Sequence, residues 1–272
     1  LILVATYKGE VLAFEPQGRL RWNVFVSSEV LSPPQADAGI VVVRSGDGRI
    51  FGLDAETGKQ RWVYQRATPA LTVRSSAGVT IYRGAVFAGF AGGKLVALNL
   101  ANGVLGWEGT VAQPKGATEL ERVADITSTP VVDDRQVCAV AFQGRVACFD
   151  PSKGTLLWAR DVSSVAGLTM DSRNVYVTSD ESVVLAMDKV TGSPVWKQGE
   201  LHLRRLTAPL PYGPYLVVGD FEGQVHFLNR NDGSFAARIA TDGKPIATPP
   251  IMLEERVAVQ TRGGGVFAFT IP

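Results

Sequence analysis

The thiol and imidazole side chains, the usual zinc ligands and the usual nucleophile with its base, number four in this sequence: Cys138, Cys148, His202 and His226. A tetrahedral zinc site draws its ligands in close pairs. Here the two cysteines are ten residues apart and the two histidines stand far from them and from each other. No metal centre is expected. The cysteines fall on what read as adjacent strands of one hairpin, and two readings fit. One is a cross-strand disulfide formed in an oxidising compartment; the other, plainer, is a pair of small buried residues. His226 lies in the strand-like run Gln224-Val225-His226-Phe227-Leu228 and is expected to pack rather than to ligate. His202 sits in a loop beside Arg204 and Arg205 and receives no role. A Gly-x-Ser-x-Gly elbow, a His-Glu-x-x-His pair and a phosphate-cradling loop are all missing from the sequence. The acidic pairs Asp133-Asp134 and Glu254-Glu255, and the run Gly263-Gly264-Gly265, fall at turns and read as solvated turns. No catalytic residue and no cofactor is therefore expected.

The elements that would carry any site are set by an internal repeat. The chain has 272 residues, of which 46% are hydrophobic and 19% charged, the mark of a globular protein. A net charge of +1 gives no field for nucleic acid or an anionic membrane surface. The sequence has no apolar run of the length that spans a bilayer as a helix. The best copy of the repeat is residues 41–62, Val-Val-Val-Arg-Ser-Gly-Asp-Gly-Arg-Ile-Phe-Gly-Leu-Asp-Ala-Glu-Thr-Gly-Lys-Gln-Arg-Trp. The others centre on Gly9, Gly48, Gly93, Gly144, Ser182, Gly223 and Gly264, about 42 residues apart, the length of a four-stranded propeller blade.

A second mark runs through the repeat. Gly18, Gly58, Gly103, Gly154 and Gly192 are each followed four residues later by Trp22, Trp62, Trp107, Trp158 and Trp196, which are all the tryptophans of the chain. Asp54, Asn99, Asp150, Asp188 and Asn229 stand four residues before the glycine of their repeats. An Asp or Asn there ends a strand by bonding its own turn, and the glycine supplies a positive φ. A tryptophan at the same place in every repeat reads as a wedge between blades. Sheets with two apolar faces need radial neighbours to bury both, so the expected fold is all-β: a β-propeller of four-stranded antiparallel blades. The sequence opens on a second strand, Leu1 to Thr6, and closes on a third, Val266 to Ile271. It is read as one propeller domain, 1–272, with five complete blades and two partial ones, lacking an N-terminal blade and a closing strand of an eight-bladed parent.

Two links between blades differ from the rest. After Trp62, Leu71-Thr72-Val73-Arg74 places apolar residues where a polar loop is expected, and after Trp107 a long link contains Glu119-Leu120-Glu121-Arg122-Val123-Ala124-Asp125. All links from a fourth strand to the next first strand emerge on one face, and these two leave consecutive blades. Apolar residues flanked by charge on a rigid scaffold suggest a binding patch. The alternative is that Leu71 and Val73 tuck into the propeller.

The Asp-x-x-Thr-Gly-x-x-x-Trp unit resembles the repeat of pyrroloquinoline-quinone-type propellers. The chain is most similar to the propeller lipoproteins of the outer-membrane β-barrel assembly machinery. Leu71-Thr72-Val73-Arg74, the stretch from Glu119 to Pro130, and the stretches from Leu203 to Pro209 and from Val217 to Gly223 carry that likeness. The resemblance implies a non-catalytic scaffold at the periplasmic face of a Gram-negative outer membrane, tethered by an N-terminal lipid outside this sequence. Its partner would be BamA, through the POTRA domains, and unfolded outer-membrane proteins are a second partner class it allows. Carried over, the partner contacts fall on Leu71, Val73, Arg74 and Asp125, with Arg122 expected on the same face. Thr127 stands where the family carries a second Asp, so half of an acidic pair is gone. The other reading of the repeat is a quinone-dependent dehydrogenase, but its adjacent Cys-Cys pair is not found and the sequence offers no convincing calcium set.

Overall fold

The computed structural model describes residues 1–67, 69 and 71–270. These form seven antiparallel sheets in two compact units, Leu1–Asp161 and Val162–Pro272. In the first unit a three-stranded sheet, Ile2–Ala5, Glu10–Phe14 and Leu20–Phe25, precedes a four-stranded one, Gln35–Asp37, Ile40–Arg44, Arg49–Asp54 and Gln60–Gln65. Two more four-stranded sheets follow, from Val79–Tyr82 to Leu105–Thr110 and from Val131–Val132 to Leu156–Asp161. The second unit holds four-stranded sheets from Gly167–Met170 to Pro194–Gln198 and from Leu210–Tyr212 to Phe235–Ala240. Its third sheet has three strands, Ile251–Leu253, Arg256–Gln260 and Val266–Phe269. Five four-stranded and two three-stranded blades are what the repeat predicts; Ile271, taken as the end of the last strand, lies outside the described residues.

Period-two alternation explains why the inner strands are apolar throughout. In Ile40–Arg44, Val41 and Val43 pack on Val11 and Ala13 of the preceding sheet, while Ile40 and Val42 pack on Val86, Ala88 and Leu98 of the following one. The second unit repeats the pattern: Leu216 and Val218 pack with Tyr176 and Ala186, and Val217 with Val257 and Val259. Both faces of each such sheet are thus lost to water, at about 1.5–3 kcal/mol for each large aliphatic side chain.

The repeated polar motif builds the turn before each outer strand. Asp54 Oδ1 accepts from the amides of Glu56 and Thr57, Asn99 Oδ1 from Ala101 and Asn102, and Asp150 Oδ1 from Ser152 and Lys153. Gly58, Gly103 and Gly154 follow with φ of 72°, 71° and 69°. The tryptophan of one sheet then sits on the turn of the next. Trp22 Nε1 donates to Ala55 O, Trp62 to Leu100 O, Trp107 to Pro151 O and Trp196 to Arg230 O, each at 2.9 Å. In every case the acceptor directly follows the turn's Asp or Asn. The indole ring covers the turn glycine: a Cβ at Gly58, Gly103, Gly154 or Gly233 would lie 2.5–2.8 Å from it. The glycine is therefore fixed twice, by its φ and by its neighbour's ring, where the sequence suggests only the first.

Two expectations about individual residues have definite outcomes. Cys138 and Cys148 are directly opposed on the strands Val137–Val140 and Arg145–Phe149 and form a disulfide, which corrects the plainer reading of two small buried thiols. Spacing alone allowed both; the pairing register brings the two Cα atoms to 4.1 Å and makes the bond possible. His226 is packed, as expected, and also bonded. Its Nε2 lies 2.8 Å from Asp220 Oδ2, and Arg238 Nε donates to its Nδ1 at 3.2 Å. With Nδ1 accepting, the ring proton sits on Nε2 and faces the carboxylate. Asp220 is fully buried and also accepts from Arg204 Nε and from the amides of Glu222 and Gln224. Burial alone would raise its pKa, but the bonds from His226, Gln224 and Arg204 hold the carboxyl below its usual range.

Two measurements check these contacts. Gly103→Ala places a methyl against Trp62 at a positive φ, whereas Gly18→Ala, with φ 86°, meets nothing within 4 Å. The first substitution should cost about 2–4 kcal/mol in urea denaturation and the second only about 1–2, the backbone cost alone. Asp220 titrates lower folded than unfolded, so its contribution is complete above about pH 4 and is lost as pH falls through the folded pKa. Asp220→Asn should flatten the fall of unfolding free energy below pH 4 and cost roughly 1–3 kcal/mol at neutral pH.

Candidate functional site

The two unusual links come together in the first unit, and a buried carboxylate joins them. The first runs from the end of Gln60–Gln65 to Val79, the second from the end of Leu105–Thr110 to Val131. Asp125 Oδ2 accepts from the Val73 amide at 2.7 Å and Oδ1 from the Gly92 amide at 3.0 Å. Thr129 Oγ1 accepts from the Gly78 amide at 2.9 Å, and Thr80 Oγ1 donates to Pro130 O at 2.5 Å. The first link is thus pinned by the second at Val73 and at Gly78.

The second link changes character at Val123. Residues 113–122 are exposed and held by local bonds: Glu121 Oε2 accepts from the amides of Ala117 and Thr118, and Arg122 Nε donates to Gly116 O. From Val123 to Ser128 every residue is buried. Ile126 fills the space beside Gly89, where a Cβ would stand 2.1 Å from its Cγ2, and the Phe142 amide donates to Asp125 O. That plug sets the depth of Asp125 and, through its carboxylate, the height of Val73.

Each expected site residue has a definite place. Leu71 is 41% exposed and Arg74 is exposed, its Nη2 3.7 Å from Glu29 Oε1. Val73 is half-buried, and Arg122 is exposed on the outer part of the second link. Asp125 is only 4% exposed with both carboxylate oxygens spent on backbone amides, so its observed part is to hold the Leu71–Arg74 segment. Thr127 is buried as well, so a carboxylate there would also stand inside the link rather than on its surface. Three further residues of these links and of the crevice carry weaker signals in the sequence. Leu120 is 70% exposed among the charges of the second link, where its apolar type in the run Glu119-Leu120-Glu121 is the available signal. Glu29 faces Arg74 from the preceding link, with its carboxyl lowered chiefly by the Ser28 hydroxyl. Arg44, a charge closing the apolar run Val41-Val42-Val43, lines the same crevice as Val73, Arg74 and Asp125.

Removing the clamp should loosen the first link without unfolding the blades. In Asp125→Ala, the Val73 and Gly92 amides should exchange with solvent at least about tenfold faster, while amides of the strand Ile40–Arg44 keep their protection. Unchanged exchange at Val73 would show that the segment is held by other contacts.

Comparison with known proteins agrees with this architecture. Residues 1–198 match the family model described as outer membrane protein assembly factor BamB. The protein of that name from Nitrosomonas eutropha is 54% identical over all of this chain, which covers 66% of it. The one from Bordetella pertussis is 47% identical over 97% of this chain and 68% of its own length. The chain thus spans about two thirds of the length of these relatives. The crystal structure of BamB from Moraxella catarrhalis superposes with a TM-score of 0.92 at 31% identity, over 99% of this chain and 81% of that one. A quinohemoprotein alcohol dehydrogenase from Pseudomonas putida HK5 superposes at 0.72 with 12% identity, over 94% of this chain and 60% of that one, a likeness of fold alone. With the family model matched over most of its length and relatives of this similarity along all of it, the chain belongs to the BamB family of outer membrane protein assembly factors.

Proposed function

We propose that this chain is a non-catalytic docking subunit of the outer-membrane β-barrel assembly complex, working at the periplasmic face of the outer membrane and binding the POTRA domains of BamA. The relatives named as assembly factors support the process. The Cys138–Cys148 disulfide supports an oxidising compartment such as the periplasm. The observation that carries the docking surface is the Asp125 clamp: it fixes the backbone of a segment whose Leu71 and Arg74 side chains remain exposed. A held segment loses little conformational entropy when a partner arrives, so its apolar and guanidinium contacts reach affinity largely undiminished. Leu71 is the apolar anchor and Arg74 the planar fork of donors; Val73 supports both from a half-buried position. Arg122 and the exposed Leu120 extend the surface along the second link. Asp125 acts through the segment it holds.

Titration calorimetry of the full-length protein against the periplasmic region of BamA tests this reading. Arg74→Ala and Leu71→Glu should each weaken binding by about thirtyfold or more, the cost of about 2 kcal/mol typical of an anchor. Both side chains are exposed, so the melting temperature should stay within a few degrees of wild type. Wild-type affinity in both variants would remove the docking surface from this segment.

A further inference from the structure

The crevice beneath the Leu71–Arg74 segment holds a cation with no carboxylate paired to it among the described residues. Arg44 ends the strand Ile40–Arg44 with its stem among apolar side chains and its guanidinium carbon 5.0 Å from the centre of the Phe90 ring. Its Nη1 is buried and makes no hydrogen bond. The residue as a whole is half-buried, and a guanidinium drawn partly out of water is costly when no opposite charge repays its desolvation. Burial lowers its pKa to about 10, which leaves it protonated at neutral pH. Every acid around the crevice is committed elsewhere. Asp125 serves the Val73 and Gly92 amides. Glu29 takes the Ser28 hydroxyl and faces Arg74. Asp47 takes the Ser45 hydroxyl and pairs with Arg49 at 3.1 Å. The charge that Arg44 needs is therefore not supplied by the residues around it.

We propose that this crevice receives the carboxylate of an acidic side chain of the docking partner, which pairs with Arg44 beneath the segment that the partner grips. The cavity is about 180 Å³ and is lined by Arg44, Ser45, Val73, Arg74 and Asp125, among others. Small-molecule sites start at about 300 Å³, so the space suits one side chain rather than a metabolite. Its mouth is continuous with Val73 and Arg74, so a partner lying on the segment can reach it with one residue. The Phe90 ring beside the guanidinium and the half-buried Val73 shield one side of the crevice from solvent, which makes a charge pair there worth more than one on the rim. The inference rests on the docking reading, because that reading supplies the partner.

Arg44→Met keeps the apolar stem and removes the charge. It should raise or preserve the melting temperature of the free protein, since an uncompensated buried charge is gone, and weaken binding to the periplasmic region of BamA by about tenfold or more. A residue with a purely structural role would show the opposite, a lower melting temperature with affinity intact. Asp→Asn and Glu→Gln substitutions across the BamA region, measured in both backgrounds, should reveal one acid whose effect disappears in Arg44→Met. If Arg44→Met does not fold, Arg44→Lys serves, because it keeps charge but loses the bidentate fork and should still bind about tenfold more weakly. If the wild-type protein does not bind BamA at all, the docking reading falls. If it binds and Leu71→Glu abolishes binding, yet Arg44→Met binds as wild type or no partner acid couples to it, the crevice proposal alone is overturned.

Discussion

Trp22, Trp62, Trp107 and Trp196 each rest on the turn of the next sheet, and the turn is built to receive the ring. The Asp or Asn closes the turn with its own carboxylate or amide oxygen, which directs the following carbonyl outward as an acceptor for the indole N–H. The glycine four residues on leaves room for the ring face. Burying an indole removes roughly 150–250 Å² from water, about 4–6 kcal/mol at 25 cal/mol per Å² before entropy is counted. The hydrogen bond adds about 1 kcal/mol and, more importantly, fixes the angle at which one sheet meets the next. With four such contacts inside the two units, packing between neighbouring sheets is set by registry rather than by oiliness. The positions of the links between sheets inside each unit follow from that registry.

The site inherits its geometry from this arrangement. Leu71 and Asp125 are far apart in sequence, but their links leave adjacent sheets on the same side, and the angle between those sheets decides whether a carboxylate on one can reach an amide on the other. The 2.7 Å bond between Asp125 and Val73 is therefore a readout of blade packing. It also explains how a short apolar segment can stay on the surface without collapsing. Collapse of Leu71–Arg74 into the crevice would orphan the Val73 amide and one oxygen of a buried carboxylate, each costing about 1–3 kcal/mol, against the gain from half-covering one leucine.

The parts legible in the sequence are those in which one residue does a local job and a repeated job at once. The tryptophans, the turn acids and the glycines recur because every sheet poses the same problem, and recurrence is visible without coordinates. The two unusual links are legible too, since apolar residues in a loop break the expected pattern. What could not be read is direction. Asp125 is an acid in a charged loop, and nothing in its neighbours says that Ile126 and Ala124 drag it inward or that the amide donors it satisfies are 33 and 52 residues away. The same holds for Cys138 and Cys148, where spacing fits both a bond and two thiols until the strand register is known. Arg44 escapes for a different reason. A charge at the end of an apolar strand is ordinarily a solvated strand end, and only the two links that meet over the crevice turn this one into a partly covered one.

Asp125 and Arg44 line one crevice with opposite charges and are not joined to each other, and the energetics say why. A carboxylate that turned to the guanidinium would give up two charge-assisted bonds to backbone amides, and those amides would be left buried and bare. Two such bonds at about 1.5–3 kcal/mol each outweigh one ion pair whose formation must also strain the plug that positions Asp125. The acid is thus locked in its structural task and cannot neutralise its neighbour. The cost of the bare cation stays in the protein, spread over a fold with many well-packed sheets, and is relieved only when a second carboxylate enters. Specificity comes from the same imbalance. A neutral side chain would leave it uncorrected and a basic one would deepen it, so the crevice disfavours wrong partners at the position where the right one gains most.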